Sequence, residues 1–224
     1  ERDVIVLVDG YIASAAALAL CTIAPAAAAG LVFGHQSREP GHQRLLAALR
    51  AQPGDAVHAR PLLDLDLLHT SVGGLQKFVH KFIEHRNLEN IHLLGNSLGG
   101  HVALVHILKH PERIKSLILT GSSGLFENGM GDTYPKRGDK EYIRKKTELT
   151  FYDPAMATEE LVNEVFEITN NRIKAIKIIA LAKSAIRNNL GEELSQIKQP
   201  TCLIWGNNDT ITPPFVAKEF QRLI

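Results

Sequence analysis

Ile91-His92-Leu93-Leu94 is a short apolar run that passes without a linker into Gly95-Asn96-Ser97-Leu98-Gly99-Gly100, and His101 to His110 then reads as a helix. A strand that turns this abruptly into a helix leaves the chain few options. The helix must run back along the face of the sheet, so the next strand, Ser116 to Thr120, lies parallel to the first. Three further runs, Val4 to Val8, Gly30 to Gly34 and Thr201 to Trp205, are continuously apolar, as strands buried on both faces are. Helical patterns separate them. Ile12 to Ala24 stops before Pro25, and Gly41 to Ala51 puts Leu45, Leu46 and Leu49 on one side. Val72 to Arg86 repeats Leu75, Phe78, Val79, Phe82 and Ile83 at helical spacing, and Pro213 to Leu223 closes the chain with proline in its first turn. This alternation predicts an α/β fold: a doubly wound parallel sheet of about five strands, a flavodoxin-like or Rossmann-like three-layer sandwich. Residues 139–197 break the alternation with helices at Lys140 to Thr147, Glu159 to Thr169 and Arg172 to Arg187, which predicts a helical cap inserted over about 122–197.

The same turn carries chemistry. Gly-x-Ser-x-Gly between a strand and a helix lifts a serine hydroxyl clear of the backbone at the positive end of the helix. The pattern assigns Ser97 as a nucleophile, Leu98 N–H as an oxyanion donor, and Gly95 and Gly99 as the residues that only glycine fits. A serine nucleophile needs a base and an acid to orient that base.

A change in composition divides the chain. Residues 1–67 contain no lysine and no asparagine; their basic residues are Arg2, Arg38, Arg44, Arg50 and Arg60, and alanine is abundant. Beyond them lysine, asparagine and isoleucine are common. This reads as two coding sequences of different base composition, joined near residue 67.

The motifs change at the same place. The second part carries Ile91 to His101, then His110-Pro111-Glu112-Arg113-Ile114 and Trp205-Gly206-Asn207-Asn208-Asp209, and from Leu68 to Ile224 it resembles the capped serine and C–C-bond hydrolases of the α/β-hydrolase superfamily. That resemblance implies roles for Ser97 and Asp209 as nucleophile and acid, and a substrate pocket shaped by the cap. The first part carries Val8-Asp9-Gly10-Tyr11-Ile12-Ala13-Ser14, Gly34-His35-Gln36-Ser37-Arg38-Glu39-Pro40 and Pro61-Leu62-Leu63-Asp64-Leu65-Asp66-Leu67. Over residues 3–67 it resembles the nicotinate-nucleotide–dimethylbenzimidazole phosphoribosyltransferases. The loop that bears the base in that family would follow Leu67, where the chain instead continues as the hydrolase-like part.

Two departures from the hydrolase pattern set the functional expectation. The family's triad runs Ser, Asp, His, yet no histidine follows His110, and the family's early His-Gly oxyanion loop is missing. The expectation is an engineered or recombined chimera, with 1–67 and 68–224 forming one composite domain and Ser97 and Asp209 surviving as relics without efficient catalysis. Asp9, His35, Ser97 and Asp209 all follow strands and are expected on one rim, so His35 is the speculative base for Ser97. His101 and His110 read as structural or solvated, and His80 and His85 as lying on the polar side of their helix. The alternatives are an active hydrolase supplied with a base, or a small-molecule or phosphate-binding module using that rim and the helix after Ser97.

No cofactor or metal is expected, and the small-molecule substrate is unassigned. The net charge of +1 argues against nucleic acid and membrane partners, while an exposed sheet edge would offer a route to a homodimer. The uncharged run Gly10 to Phe33 is broken by Pro25 and rich in alanine, so it reads as core rather than as a membrane span. Cys21 and Cys202 suggest no disulfide framework, and Glu1-Arg2-Asp3 reads neither as an initiator nor as a signal peptide. Together these predict a cytoplasmic protein trimmed at its ends.

Overall fold

The computed structural model describes residues 4–8, 31–33, 71–85, 87–128 and 136–224. Elements are numbered in chain order among these residues. The strands are β1 (Val4–Val8), β2 (Leu31–Phe33), β3 (Ile91–Asn96), β4 (Ile114–Thr120) and β5 (Thr201–Ile204). The helices are α1 (Val72–His85), α2 (Leu98–Lys109), α3 (Lys140–Glu148), α4 (Glu159–Asn170), α5 (Arg172–Arg187) and α6 (Pro214–Leu223). The expected helices at 12–24 and 41–51 lie outside the described residues, as does His35.

Every strand pairing is parallel, in the order β2-β1-β3-β4-β5. The register aligns the strand ends. Asn96 lies opposite Thr120, and Thr120 opposite Ile204. On the other side Val6 pairs with Leu94 and Val8 with Phe33, so two residues further along β1 and β2 end level with Asn96. The chain therefore leaves all these strands at one rim, where ligands collect in parallel sheets.

Helix α2 packs against α1 and lies on β3 and β4, and α6 packs on β5. Leu104 and Ile107 of α2, Leu117 and Leu119 of β4, Ile91 of β3 and Phe220 of α6 are fully buried and form the centre of one core. Inside α1 the buried residues are Val72, Gln76, Val79, Phe82 and Ile83. Leu75, an expected core residue, is only partly buried, and the polar Gln76 takes an inward place because a polar partner awaits it on α2.

Each of the helices α3, α4 and α5 begins at a residue whose side chain satisfies an orphan backbone N–H. Asp139 accepts from Tyr142 N, Thr158 from Leu161 N, and Asn171 from Ile173 N and Lys174 N. Helices α3, α4 and α5 pack in succession, and α5 returns to α1, where Ser184 Oγ accepts the Val72 N–H at 3.0 Å.

Candidate active site

Strand β3 continues two residues beyond the apolar run, through Gly95 and Asn96, before the chain breaks direction at Ser97. Ser97 has φ 50° and ψ −119°. Two other non-glycine residues with positive φ are both asparagine, Asn87 and Asn90, for which the left-handed region is a common choice. A serine there stores strain of about 1–3 kcal/mol and persists only where the surroundings over-determine it. They do so here. Ser97 N donates to Thr120 O at 3.0 Å, and Ser97 O accepts from His101 N and Ser123 N, both at 3.2 Å. The neighbouring Asn96 is pinned by Thr120 Oγ1, which donates to its Oδ1 at 2.8 Å. Ser97 occupies the N-cap of α2, yet its side chain makes no capping bond. The hydroxyl is thus left available, and Leu98, the first helical residue, presents an N–H that the helix itself does not use.

The glycine requirement differs from the one expected. A Cβ on Gly95 would sit 2.4 Å from Gly99 O and 2.6 Å from Gly100 N, so no side chain is tolerated there. A Cβ on Gly99 would meet nothing within 4 Å. The second constrained position is Gly100, whose Cβ would lie 2.2 Å from Ser122 Oγ. The turn is tight against its own helix at Gly95 and against the loop after β4 at Gly100, while Gly99 faces open space.

Asp209 sits in the turn after β5. Its Oδ1 accepts from Ile211 N and Thr212 N at 2.9 Å, and its Oδ2 accepts from Thr212 Oγ1 at 2.9 Å. The loop after β4 approaches it closely: a Cβ on Gly121, which has φ 48°, would lie 3.1 Å from Asp209 Oδ2. Ser97 and Asp209 thus leave the same rim on strands separated by β4, a lateral step of roughly 10 Å between strand axes.

His80, His101, His106 and His110 are engaged elsewhere. His101, one turn after Ser97, is fully buried; its Nε2 lies 2.8 Å from Asn188 O at the end of α5, and its Nδ1 is enclosed without a partner. Burial lowers its pKa against the opposing effect of the Asn188 carbonyl, and the contact ties α2 to the end of α5. His80 and His110 are not simply solvated: their rings stack at 3.7 Å, with His106 at 5.9 and 5.4 Å from them. This three-histidine cluster went unforeseen. His106 and His110 are one helical turn apart, but nothing local reveals that α1 brings His80 to meet them. Among the described residues no group of three His, Cys, Asp or Glu is arranged to hold a metal ion. A cavity of about 750 Å³ opens between α1, α2 and α5, bordered by Ser71, Val105, Lys109, Ser184 and Arg187; neither Ser97 nor Asp209 lines it.

Comparison with known proteins agrees with this architecture. Residues 36–153 match the family model described as alpha/beta hydrolase fold, and residues 1–68 match one described as phosphoribosyltransferase. The two matches overlap over 36–68. A monoacylglycerol lipase, abhd6-B, of Xenopus laevis is 29% identical over 71% of this chain and 52% of its own length. A 2-hydroxy-6-oxononadienedioate/2-hydroxy-6-oxononatrienedioate hydrolase of Paraburkholderia phymatum is 30% identical over 56% of this chain and 48% of its own length. The chain thus spans about half the length of these relatives. Among solved structures, MGS-MChE2, an alpha/beta hydrolase enzyme from the metagenome of lagoon sediments at Mar Chica, Morocco, is 31% identical with a TM-score of 0.65, covering 100% of this chain and 77% of that one.

Proposed function

The chain belongs to the α/β-hydrolase fold family, and from that premise we propose that it carries the nucleophile and acid of a serine hydrolase acting on an ester or a C–C bond. One observation carries the reading: Ser97 is held at φ 50° by hydrogen bonds from three directions, with its hydroxyl left out of the helix cap. Strain of this kind serves chemistry better than folding. In the proposed site Ser97 Oγ attacks the substrate carbonyl and Leu98 N–H donates to the oxygen as it gains charge. Asp209 is the acid that orients a histidine base.

The base decides turnover. His80, His101, His106 and His110 are engaged in the contacts described above, and no histidine follows His110 in these 224 residues. His35, the speculative base, lies outside the described residues. Without a base, acyl transfer by serine falls by several orders of magnitude.

A second reading therefore has support of its own: a composite α/β scaffold in which 1–67 of phosphoribosyltransferase origin and 68–224 of hydrolase origin complete a five-stranded, flavodoxin-like sheet with little catalysis. The observation that favours it is the presence of two family matches on one chain. Such a scaffold has an exposed flank on β5, where Cys202 and Ile204 face outward, which favours a homodimer.

Hydrolysis of p-nitrophenyl butyrate, compared between the protein and Ser97→Ala, separates the readings. A rate that depends on Ser97 supports the hydrolase. Equal background rates refute it for this chain and leave the scaffold.

A further inference from the structure

Helix α5 joins two features seldom found together on an exposed surface. Ile173, Ile176, Ile178, Ile179 and Ile186 are all exposed, Ile186 by 72%, while Ala175 and Ala185 are the residues of the helix that are fully buried. Along the same helix run Arg172, Lys174, Lys177, Lys183 and Arg187, with no acidic residue. None of these five cations forms an ion pair among the described residues. At 100° per residue Ile176, Ile179 and Ile186 fall on one stripe with Arg172, Lys183 and Arg187, so apolar and cationic groups share a single face, while Lys174 and Lys177 lie on the other side of the helix.

We propose that the α5 face of the cap binds an anionic lipid surface. Isoleucines left in water favour an apolar partner, and the cations flanking them select one of negative charge. A second copy of this chain is a poor occupant, because pairing this face with itself brings the three cations of each copy together. The net charge of +1 concealed this feature. It averages α5 with the acidic α4, whose Glu159, Glu160, Glu164 and Glu167 offset the cations in the total without pairing with them. Glu159 is instead bound by Lys140 and Arg144. No helix among the described residues is long and apolar enough to cross a membrane, so the contact is a peripheral one.

The test is co-sedimentation with vesicles of phosphatidylcholine alone and with one-third phosphatidylserine. The protein is expected to partition onto the anionic vesicles, each cation contributing about fivefold, and to be released as salt rises from about 0.1 M to 1 M. Two triple variants divide the contributions: Ile176→Ser/Ile179→Ser/Ile186→Ser and Arg172→Glu/Lys183→Glu/Arg187→Glu. All six positions are surface or half-buried, and circular dichroism with Tm verifies that the fold is retained. Each variant is expected to lower the partition coefficient at least tenfold. Three results would overturn the proposal: no preference for anionic vesicles, partitioning unchanged in both folded variants, or a dimer that the isoleucine variant dissolves. Equal binding to soluble polyglutamate, insensitive to the isoleucine changes, would likewise refute it and point to an acidic polypeptide.

Discussion

Acid should unfold this protein through His106, and the effect can be sized. His106 is 1% exposed, on the inner side of α2. Burial first, and then the nearby His110 and His80, bring its pKa from 6.5 down to about 4, against the pull of the Glu112 carboxylate. The amide of Gln76 lies 3.3 Å from its Nδ1, a contact the neutral ring accepts and a protonated Nδ1 must give up. The folded-state pKa is lowered, so the unfolded chain binds the proton more readily. The associated stability is present above the unfolded value of 6.5 and is lost as pH falls toward 4. Complete loss amounts to about 3 kcal/mol, of which about 2 kcal/mol has gone by pH 5. The perturbation is His106→Leu, and the assay is urea unfolding followed through the fluorescence of Trp205, the single tryptophan, whose ring is tilted against that of Phe220. The variant is expected to be less stable at pH 8, because the Gln76 amide loses its partner, but to lose about 2 kcal/mol less than the parent between pH 8 and 5. His80, Glu84, His110, Glu112 and Arg113 surround the same small cavity and remain in both proteins, so the difference isolates His106. Parallel pH profiles for the two proteins would refute the reasoning.

Other outcomes follow from the turn and the acid. Gly95→Ala and Gly100→Ala should each destabilise by about 1–3 kcal/mol or more through overpacking, whereas Gly99→Ala should be neutral or up to about 1 kcal/mol stabilising, since it adds helix propensity in open space. Chemical denaturation of the three variants tests this, and a Gly99 variant as damaged as the other two would contradict the geometry. Asp209→Ala removes three hydrogen bonds within the turn after β5 and should lower stability by about 2 kcal/mol even if catalysis is absent. Asp209→Asn keeps an acceptor for Ile211 N and Thr212 N, so it should melt close to the parent while abolishing any Ser97-dependent esterase rate. An unchanged esterase rate in Asp209→Asn would remove Asp209 from the proposed site.

Much of the fold is legible locally. Helix α5 ends where its pattern predicts, at Arg172 and Arg187, because Asn171 caps it and periodicity runs unbroken between. The strand–turn–helix at Ser97 is equally readable, since a glycine-flanked serine after an apolar run has few backbone solutions. Strand ends were less clear: β3 runs on to Asn96 because Thr120 extends the ladder from the neighbouring strand, a partner 24 residues away.

What the sequence by itself determined about this protein is the set of short-range commitments: parallel βα units, a helical insertion, a tight strand–turn–helix at Ser97 and a compositional seam near residue 67. Tertiary structure alone decided that the second glycine the turn cannot lose is Gly100 rather than Gly99, because the clash there comes from Ser122 in another loop. It also decided that Gln76 is buried against His106, that His80 stacks on His110, and that the cations of α5 stand unpaired beside exposed isoleucines. Backbone preference and periodicity act over a few residues and are written along the chain. Crowding, desolvation and charge pairing arise only when segments distant in sequence are packed together.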